Sequence, residues 1–404
     1  MQVLVEYRKL WFRCAVMKIC QITWEYPPRI VGGIARHVED LSKALVKLGH
    51  EVYVVTLDFP GVPNYEEVGG VKIYRAPSEI GHPHFLTWTL LFNNSIEKRV
   101  ADVGVDFDVL HVHDWLTAPA GIAAKHFLGK PLVVTLHSTE YGRSTLHSVD
   151  SFTVDGLEWW STYEANKLVV TTYSMRHEVC GHFRVPWEKV WIIPNAVDAS
   201  KFQVNVDRNA VRARYGVGAN EKLILYVGRL VPQKGVEFLI QAVPRIAVKY
   251  GGAKCVIVGD GWLRGHLEYL ANQTGQRWRF NFTGFIPDSE LIALLKSADV
   301  LVIPSIYEPF GIVALEGMAA GVPVVASQVG GLAEVVEHDR TGEYVYMRNP
   351  DSIAWGVDRV LSNSGHAAWL VKNGLEAVQK VYSWEAVAKK TTELYEDVVK
   401  GGAK

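Results

Sequence analysis

Short runs of β-branched and apolar residues alternate with helix-periodic stretches along nearly all of this 404-residue chain, and that alternation limits the folds open to it. In the first half the strand-like runs fall at 18–23, 51–57, 71–75, 109–112, 132–136, 168–171 and 190–193. Between the first two, Ile34, Val38, Leu41, Leu45 and Leu48 recur at helical spacing, and Gly49 closes the pattern. Strands separated by helices imply parallel βαβ units. The pattern pauses over 194–220, a stretch rich in Asn, Asp, Val and Arg that reads as a linker. It resumes with runs at 223–227, 254–258, 279–283, 300–303 and 322–326, and a last helix spans 384–399.

The expected class is therefore α/β, with two doubly wound Rossmann-like domains facing a cleft. Residues 17–200 form the first, 201–382 the second, and 383–404 a terminal helix. The length is sufficient for two cores. Ligands of such sheets bind beyond the carboxyl ends of the strands. Two such ends on one cleft suit a ligand with two parts. Residues 1–16 read as an upstream extension, because the strand pattern begins after Met17 and the basic residues before it interrupt the apolar ones. A small amphipathic membrane anchor is the other reading of this stretch, but it is short and lacks a second anchoring signal.

Composition narrows the function. Forty-two Lys and Arg face 43 Asp and Glu, a net charge of −1, which gives no general electrostatic reason to bind nucleic acid or an anionic membrane. No apolar run approaches the roughly 20 residues that span a bilayer. Cys14, Cys20, Cys180 and Cys255 are scattered, which fits a reducing, cytoplasmic setting rather than a disulfide framework or a zinc site.

The segment Ile303 to Glu316 is the richest in chemistry. A strand ends near Pro304, a loop carries Glu308, and a helix starts near Gly311. Glu308 and Glu316 are eight positions apart, about 12 Å along a helix axis. That is too far for the carboxylates of a retaining glycosidase, which stand about 5 Å apart. It suits two contacts on one extended ligand, with the N–H groups of Gly311, Ile312 and Val313 holding a diphosphate between them. The bland reading makes Glu308 a solvated loop residue and Glu316 a surface one. Arg229 and Lys234 follow another strand on a Gly-bounded loop, placed to converge on a diphosphate without a metal, or else as two solvated charges. Gly32 and Gly33 open the first helix, where backbone can approach an anion closely. A tight loop is the alternative.

The strand ending at Leu136 leads into His137-Ser138-Thr139-Glu140-Tyr141-Gly142-Arg143, and another leads into His113-Asp114-Trp115. His111 and His113 alternate like a metal pair, but no carboxylate or Cys stands at ligand spacing, so both read as hydrogen-bonded core residues. Asp106-Phe107-Asp108 precedes its strand and reads as structural. Gly259 to Gly265 has its last glycine one place late for a dinucleotide fingerprint and reads as a nucleotide-side loop. Trp159 and Trp160, among thirteen tryptophans, read as helix packing rather than as platforms for a glucan.

Glu308-Pro309-Phe310-Gly311 with Glu316, the Arg229 to Lys234 loop, Gly32-Gly33 and the His113-Asp114-Trp115 turn together resemble the retaining glycosyltransferases of the GT-B fold. Trp24-Glu25-Tyr26-Pro27-Pro28, His137 to Arg143 and Glu158-Trp159-Trp160 resemble its glycogen synthase-like members. The resemblance implies a nucleotide-sugar donor, ADP- or UDP-glucose, an α-1,4-glucan acceptor, and neither metal nor cofactor. It places Arg229 and Lys234 on the donor diphosphate, with Gly33 approaching it from the first domain. Glu308 lies by the transferred sugar and Glu316 on the ribose. His137 falls near the sugar, and Asp114 and Ser138 on the donor-sugar or acceptor side. It also sends the last helix back onto the first domain. Family members carry a lysine before the glycine pair, where this chain has Arg29. Other acceptors, namely a lipid, a sugar phosphate or a small glycoside, keep the same donor site. A two-domain sugar-binding protein of an importer would give Arg229, Lys234 and the two glutamates no joint purpose.

Overall fold

The computed structural model describes residues 16–78, 81–144 and 146–401, so the expectation for the first fifteen residues lies outside the described residues. The first sheet contains β1 (Lys18–Ile22), β2 (Glu51–Leu57), β3 (Tyr65–Val68), β4 (Val71–Ala76), β5 (Val109–His113), β6 (Leu132–Leu136), β7 (Lys167–Val170) and β8 (Val190–Ile192). Their order is β3-β4-β2-β1-β5-β6-β7-β8. The second contains β9 (Lys222–Val227), β10 (Ala253–Val258), β11 (Phe280–Gly284), β12 (Val300–Ile303), β13 (Val324–Ser327) and β14 (Glu343–Val345), in the order β11-β10-β9-β12-β13-β14. Two doubly wound α/β sheets are thus present, as the alternation of strands and helices predicts.

Parallel pairing explains the continuous apolar runs. Ile19 lies between Val52 and Val109, and Leu225 between Val256 and Leu301. Helices cover both faces of such sheets, so the strands are buried on both sides. Two strands escape the sequence pattern. β3 is mostly exposed and joins β4 antiparallel at the sheet edge. β14 has three residues and begins with a buried Glu343, whose carboxylate accepts from Arg359 Nε at 3.1 Å.

Internal contacts divide the chain into two compact units. One runs to Leu136 and adds Ser148–Val169 and the chain from Ala388. The other contains His137–His147 and Val170–Val387. By internal contacts the division falls between Val169 and Val170, and the loop after β6 goes with the second unit. The stretch 194–220 is packed: it holds the helix Arg208–Arg214, and Phe202, Tyr215 and Val217 enter the second unit's core.

The last helix, Trp384–Gly401, ends in the first unit, where Tyr395 is fully buried. Gln21 Nε2 donates to Tyr395 Oη at 3.0 Å, and Tyr395 Oη lies 2.6 Å from His111 Nδ1. His111 Nε2 is 2.7 Å from Thr135 Oγ1, and His113 Nε2 is 2.7 Å from Gln21 Oε1. One arrangement of hydrogens serves this chain: Tyr395 Oη–H donates to His111 Nδ1, and the Nε2–H groups of His111 and His113 donate to Thr135 Oγ1 and Gln21 Oε1. The strand histidines are therefore hydrogen-bonded core groups.

The expected packing of Trp159 and Trp160 is not what the structure shows. They are 50% and 37% exposed on the helix Val149–Glu164. The buried face of that helix carries Ser151, Val154, Glu158, Ser161 and Thr162, so the tryptophans stand on the other face.

Removing the Tyr395 hydroxyl leaves Gln21 and His111 without that partner in a dry core. Tyr395→Phe is expected to lower stability by about 1–3 kcal/mol, read as a reduced urea midpoint at unchanged m-value.

Candidate active site

The second sheet changes winding direction at β9, which is flanked by β10 on one side and β12 on the other. Such a switch point leaves a crevice beyond the carboxyl ends of the two strands. Gly228 and Arg229 follow β9 there, and Pro304 and Ser305 follow β12. A 3₁₀ turn, Pro232–Lys234, brings the two loops together. Gln233 C=O accepts from Ile306 N–H at 2.7 Å and Tyr307 N–H at 3.2 Å. Gly235, at φ 61°, makes this approach possible, because a Cβ there would stand 2.2 Å from Pro304 O.

Lys234 Nζ consequently donates to Glu308 Oε2 at 2.7 Å, and Ser305 Oγ donates to the same oxygen at 3.1 Å. Their side chains are 20% and 12% exposed. Tyr226 is fully buried on β9, and its Oη donates to Arg229 C=O at 3.0 Å. Burial pushes that phenol's pKa up, and the charge of Glu308 adds to the shift. The Arg229 guanidinium is exposed and has no hydrogen-bond or ion-pair partner among the described residues.

Backbone contacts fix Glu308. Its C=O accepts from Gly331 N–H at 2.9 Å, and a Cβ on Gly330 would lie 2.6 Å from that oxygen. Pro309 C=O accepts from Thr172 Oγ1 at 3.0 Å. Gly311, at φ 103°, then turns the chain into the helix Ile312–Ala320. Ala314 N–H bonds Gly311 C=O at 2.9 Å, and Gly311, Ile312 and Val313 supply the N–H groups at the open end of the helix. Glu316 is half-buried on the following turn.

In the 137–147 segment, burial lowers the pKa of His137 to about 4, so its imidazole is neutral at pH 7. Arg143 donates to Ser138 Oγ and pairs with Glu140 at 2.9 Å. Thr139 Oγ1 and Tyr307 Oη both donate to Glu178, the latter at 3.2 Å. A cavity of about 550 Å³ lies here, lined by Arg143, Arg229, Trp262, Tyr307 and Arg348 among others.

The first unit repeats the topology at β1, which lies between β2 and β5. Gly32 is extended and precedes the helix Gly33–Lys47. Glu25, to which the sequence motif assigned no role, organises this loop: its Oε2 accepts from Val31 N–H at 2.6 Å and Gly32 N–H at 2.8 Å. Burial raises its pKa. Arg29 sends Nη2 and Nε to Asp58 C=O at 2.8 and 3.2 Å, so its guanidinium is engaged with backbone. Asp114 is buried directly after β5 at φ 60°, ψ 174°, a conformation rare outside glycine, and its N–H donates to Thr135 C=O at 2.8 Å. Asp108 caps the opposite end of the sheet by accepting from Lys18 N–H at 2.7 Å.

Comparison with known proteins decides the family. Residues 207–377 match the pattern of the Glycosyl transferases group 1 family, and residues 31–201 that of Glycosyltransferase Family 4. An uncharacterized glycosyltransferase of Methanocaldococcus jannaschii is 48% identical, over 94% of this chain and 98% of that one. The chain belongs to the group 1 glycosyltransferases. A glycogen synthase of Mycobacterium tuberculosis is 34% identical over 94% of each chain. Among solved structures, sucrose-phosphate synthase from Thermosynechococcus elongatus superposes with a TM-score of 0.79 at 26% identity, covering 95% of this chain and all of that one.

For a glycosyltransferase of this family the sequence signals gathered most of the second-unit cluster and missed its supports. Gly330-Gly331 follows β13 as Gly32-Gly33 follows β1, and the same strand-then-glycine-pair signal would have found it. Ser305, Tyr307 and Glu178 carry no such mark.

His137 also sets a pH dependence. Its ordinary pKa near 6.5 is depressed in the folded state, so its contribution to stability is complete above pH 6.5 and is lost as pH falls toward 4. The thermal midpoint is expected to drop across that window, and less steeply in His137→Gln. His50 shifts in the same direction, so the difference between wild type and variant is the readout.

Proposed function

We propose that this enzyme moves a glucosyl unit, with retention, from a nucleotide sugar such as ADP- or UDP-glucose to the non-reducing end of an α-1,4-glucan. The observation that carries the reading is the Lys234–Glu308 pair at the β9/β12 crevice, beside the helix end at Gly311 and an Arg229 guanidinium with no partner among the described residues. The 34% identity to a glycogen synthase over nearly the whole chain supports the glucan acceptor. So do the outward-facing Trp159 and Trp160, since the C–H faces of pyranose rings stack on aromatic rings.

Cleavage of the bond between the anomeric carbon and the leaving oxygen builds positive charge on the sugar and negative charge on the diphosphate. Arg229, Lys234 and the N–H groups of Gly311, Ile312 and Val313 stabilise the latter. Glu308, fixed by Lys234 and Ser305, accepts from the sugar hydroxyls and offsets the charge near the anomeric carbon. Glu316 accepts from the ribose hydroxyls. Neutral His137 acts as a hydrogen-bond partner of the sugar, with Asp114 and Ser138 toward the acceptor and Gly33 toward the phosphate. The acceptor oxygen forms its bond on the face the diphosphate leaves, and its proton passes to the departing phosphate.

Product analysis with ADP-, UDP- and GDP-sugars against glycogen and maltose tests the reading. Elongated α-1,4 chains are expected from at least one donor. Glu308→Gln is expected to lower kcat about 100-fold or more, and Arg229→Ala to weaken donor binding about 10- to 100-fold. Absence of transfer from every nucleotide sugar sinks the proposal. Donor affinity and turnover unchanged in Arg229→Ala remove the diphosphate assignment.

A further inference from the structure

Three arginines line the 550 Å³ cavity of the second unit: Arg143, Arg229 and Arg348. The carboxylate in that lining, Glu140, is paired with Arg143 at 2.9 Å. Lys234, the other cation of the Arg229 loop, is held by Glu308 at 2.7 Å. Arg229 and Arg348 have no hydrogen-bond or ion-pair partner among the described residues. The cavity therefore presents two uncompensated guanidinium groups, one at each of two loops that the sequence motifs do not connect.

The loop carrying Arg348 is built to hold it. It follows β14, and hydrogen bonds to one residue of the next helix, Pro350–Leu361, fix both of its ends. Tyr346 N–H donates to Ser352 Oγ at 2.9 Å, and Ser352 N–H donates to Asn349 Oδ1 at 2.9 Å. Between them Arg348 stands at φ 56°, the left-handed region that favours glycine. A residue other than glycine held there costs on the order of 1 kcal/mol. An exposed arginine held at that cost, in a loop pinned on both sides and lining a cavity, has its backbone direction set before any ligand binds.

We propose that Arg348 is a second donor-binding arginine, which shares the diphosphate of the nucleotide sugar with Arg229. The inference rests on the donor reading above and adds a residue that no motif identified. Two unpaired cations match the two negative charges of a nucleoside diphosphate sugar. Lys234 shares its charge with Glu308, so Arg348 supplies the second positive charge that no carboxylate offsets. The same accounting leaves no uncompensated cation in the lining for an anionic acceptor, which favours an uncharged one.

Calorimetric binding of ADP, UDP and GDP to wild type, Arg348→Asn and Arg348→Lys tests this. Asparagine tolerates the left-handed backbone, so Arg348→Asn removes the charge while preserving the loop. The nucleoside diphosphate that binds wild type best is expected to bind Arg348→Asn about tenfold more weakly. Arg348→Lys is expected to recover part of the loss, and the thermal midpoint of both variants to stay at the wild-type value. Added salt weakens wild type more steeply than Arg348→Asn. Diphosphate affinity in Arg348→Asn equal to wild type overturns the assignment while leaving the donor reading intact. Equal weakening of the uncharged nucleoside, or loss in both variants with a lowered midpoint, overturns it as well. Wild-type protein that binds none of the three diphosphates sinks the donor reading and this assignment together.

Discussion

The contact between Lys234 and Glu308 ties the loop after β9 to the loop after β12, and the arrangement of the second-unit site depends on it. Both groups are largely removed from water, and such a pair contributes little net stability, because desolvation offsets much of the attraction. Its effect is positional. A carboxylate that accepts from Lys234 and Ser305 at once has little freedom left, so its charge is oriented before any ligand arrives. Electrostatic stabilisation of developing charge requires this kind of fixed dipole or charge, set in place when the protein folds.

Side-chain pairing alone would not hold Glu308, since a loop between strand and helix has no ladder of its own. Three glycines supply the missing constraint by letting backbone meet backbone. Gly235 lies against Pro304 O, Gly330 against Glu308 O, and Gly331 donates its N–H to the same carbonyl. Any Cβ at the first two positions would stand less than 3 Å from an oxygen. The hydrogen bond from Thr172 to Pro309 adds a fourth restraint. The loop is thus irregular in dihedral angles, yet the carbonyls of Glu308 and Pro309 both have donors, as a buried turn requires.

The sheets were legible in the sequence because parallel strands buried on both faces carry uninterrupted apolar runs. Strands 51–57, 132–136 and 300–303 fall where those runs do. β3 and β14 were not legible, since an exposed edge strand and a three-residue strand headed by a buried glutamate have no such signature. The second-unit cluster was legible where residue type and strand end coincide, as for Arg229, Lys234, Glu308 and the helix start at Gly311. Residues that support it from a distance in the chain were not: Glu178 acquires its meaning only from the topology. Trp159 and Trp160 were misread because apolar bulk suggests burial, whereas the helix buries its small polar face.

The two sheets place opposite electrostatics at the same topological position. Beyond β1 and β5 stand two buried carboxylates, Glu25 and Asp114; burial raises the pKa of Glu25, and the charge of Asp114 adds to the rise. The N–H groups of Val31 and Gly32 are taken by Glu25, and the nearby Arg29 is spent on a carbonyl. Beyond β9 and β12 stand Arg229 and Lys234, with a helix opening toward the crevice. An anionic ligand group finds charge compensation at the second set. Carboxylates at the first set instead accept hydrogen bonds from hydroxyl groups. This asymmetry supports a donor phosphate held by the second unit.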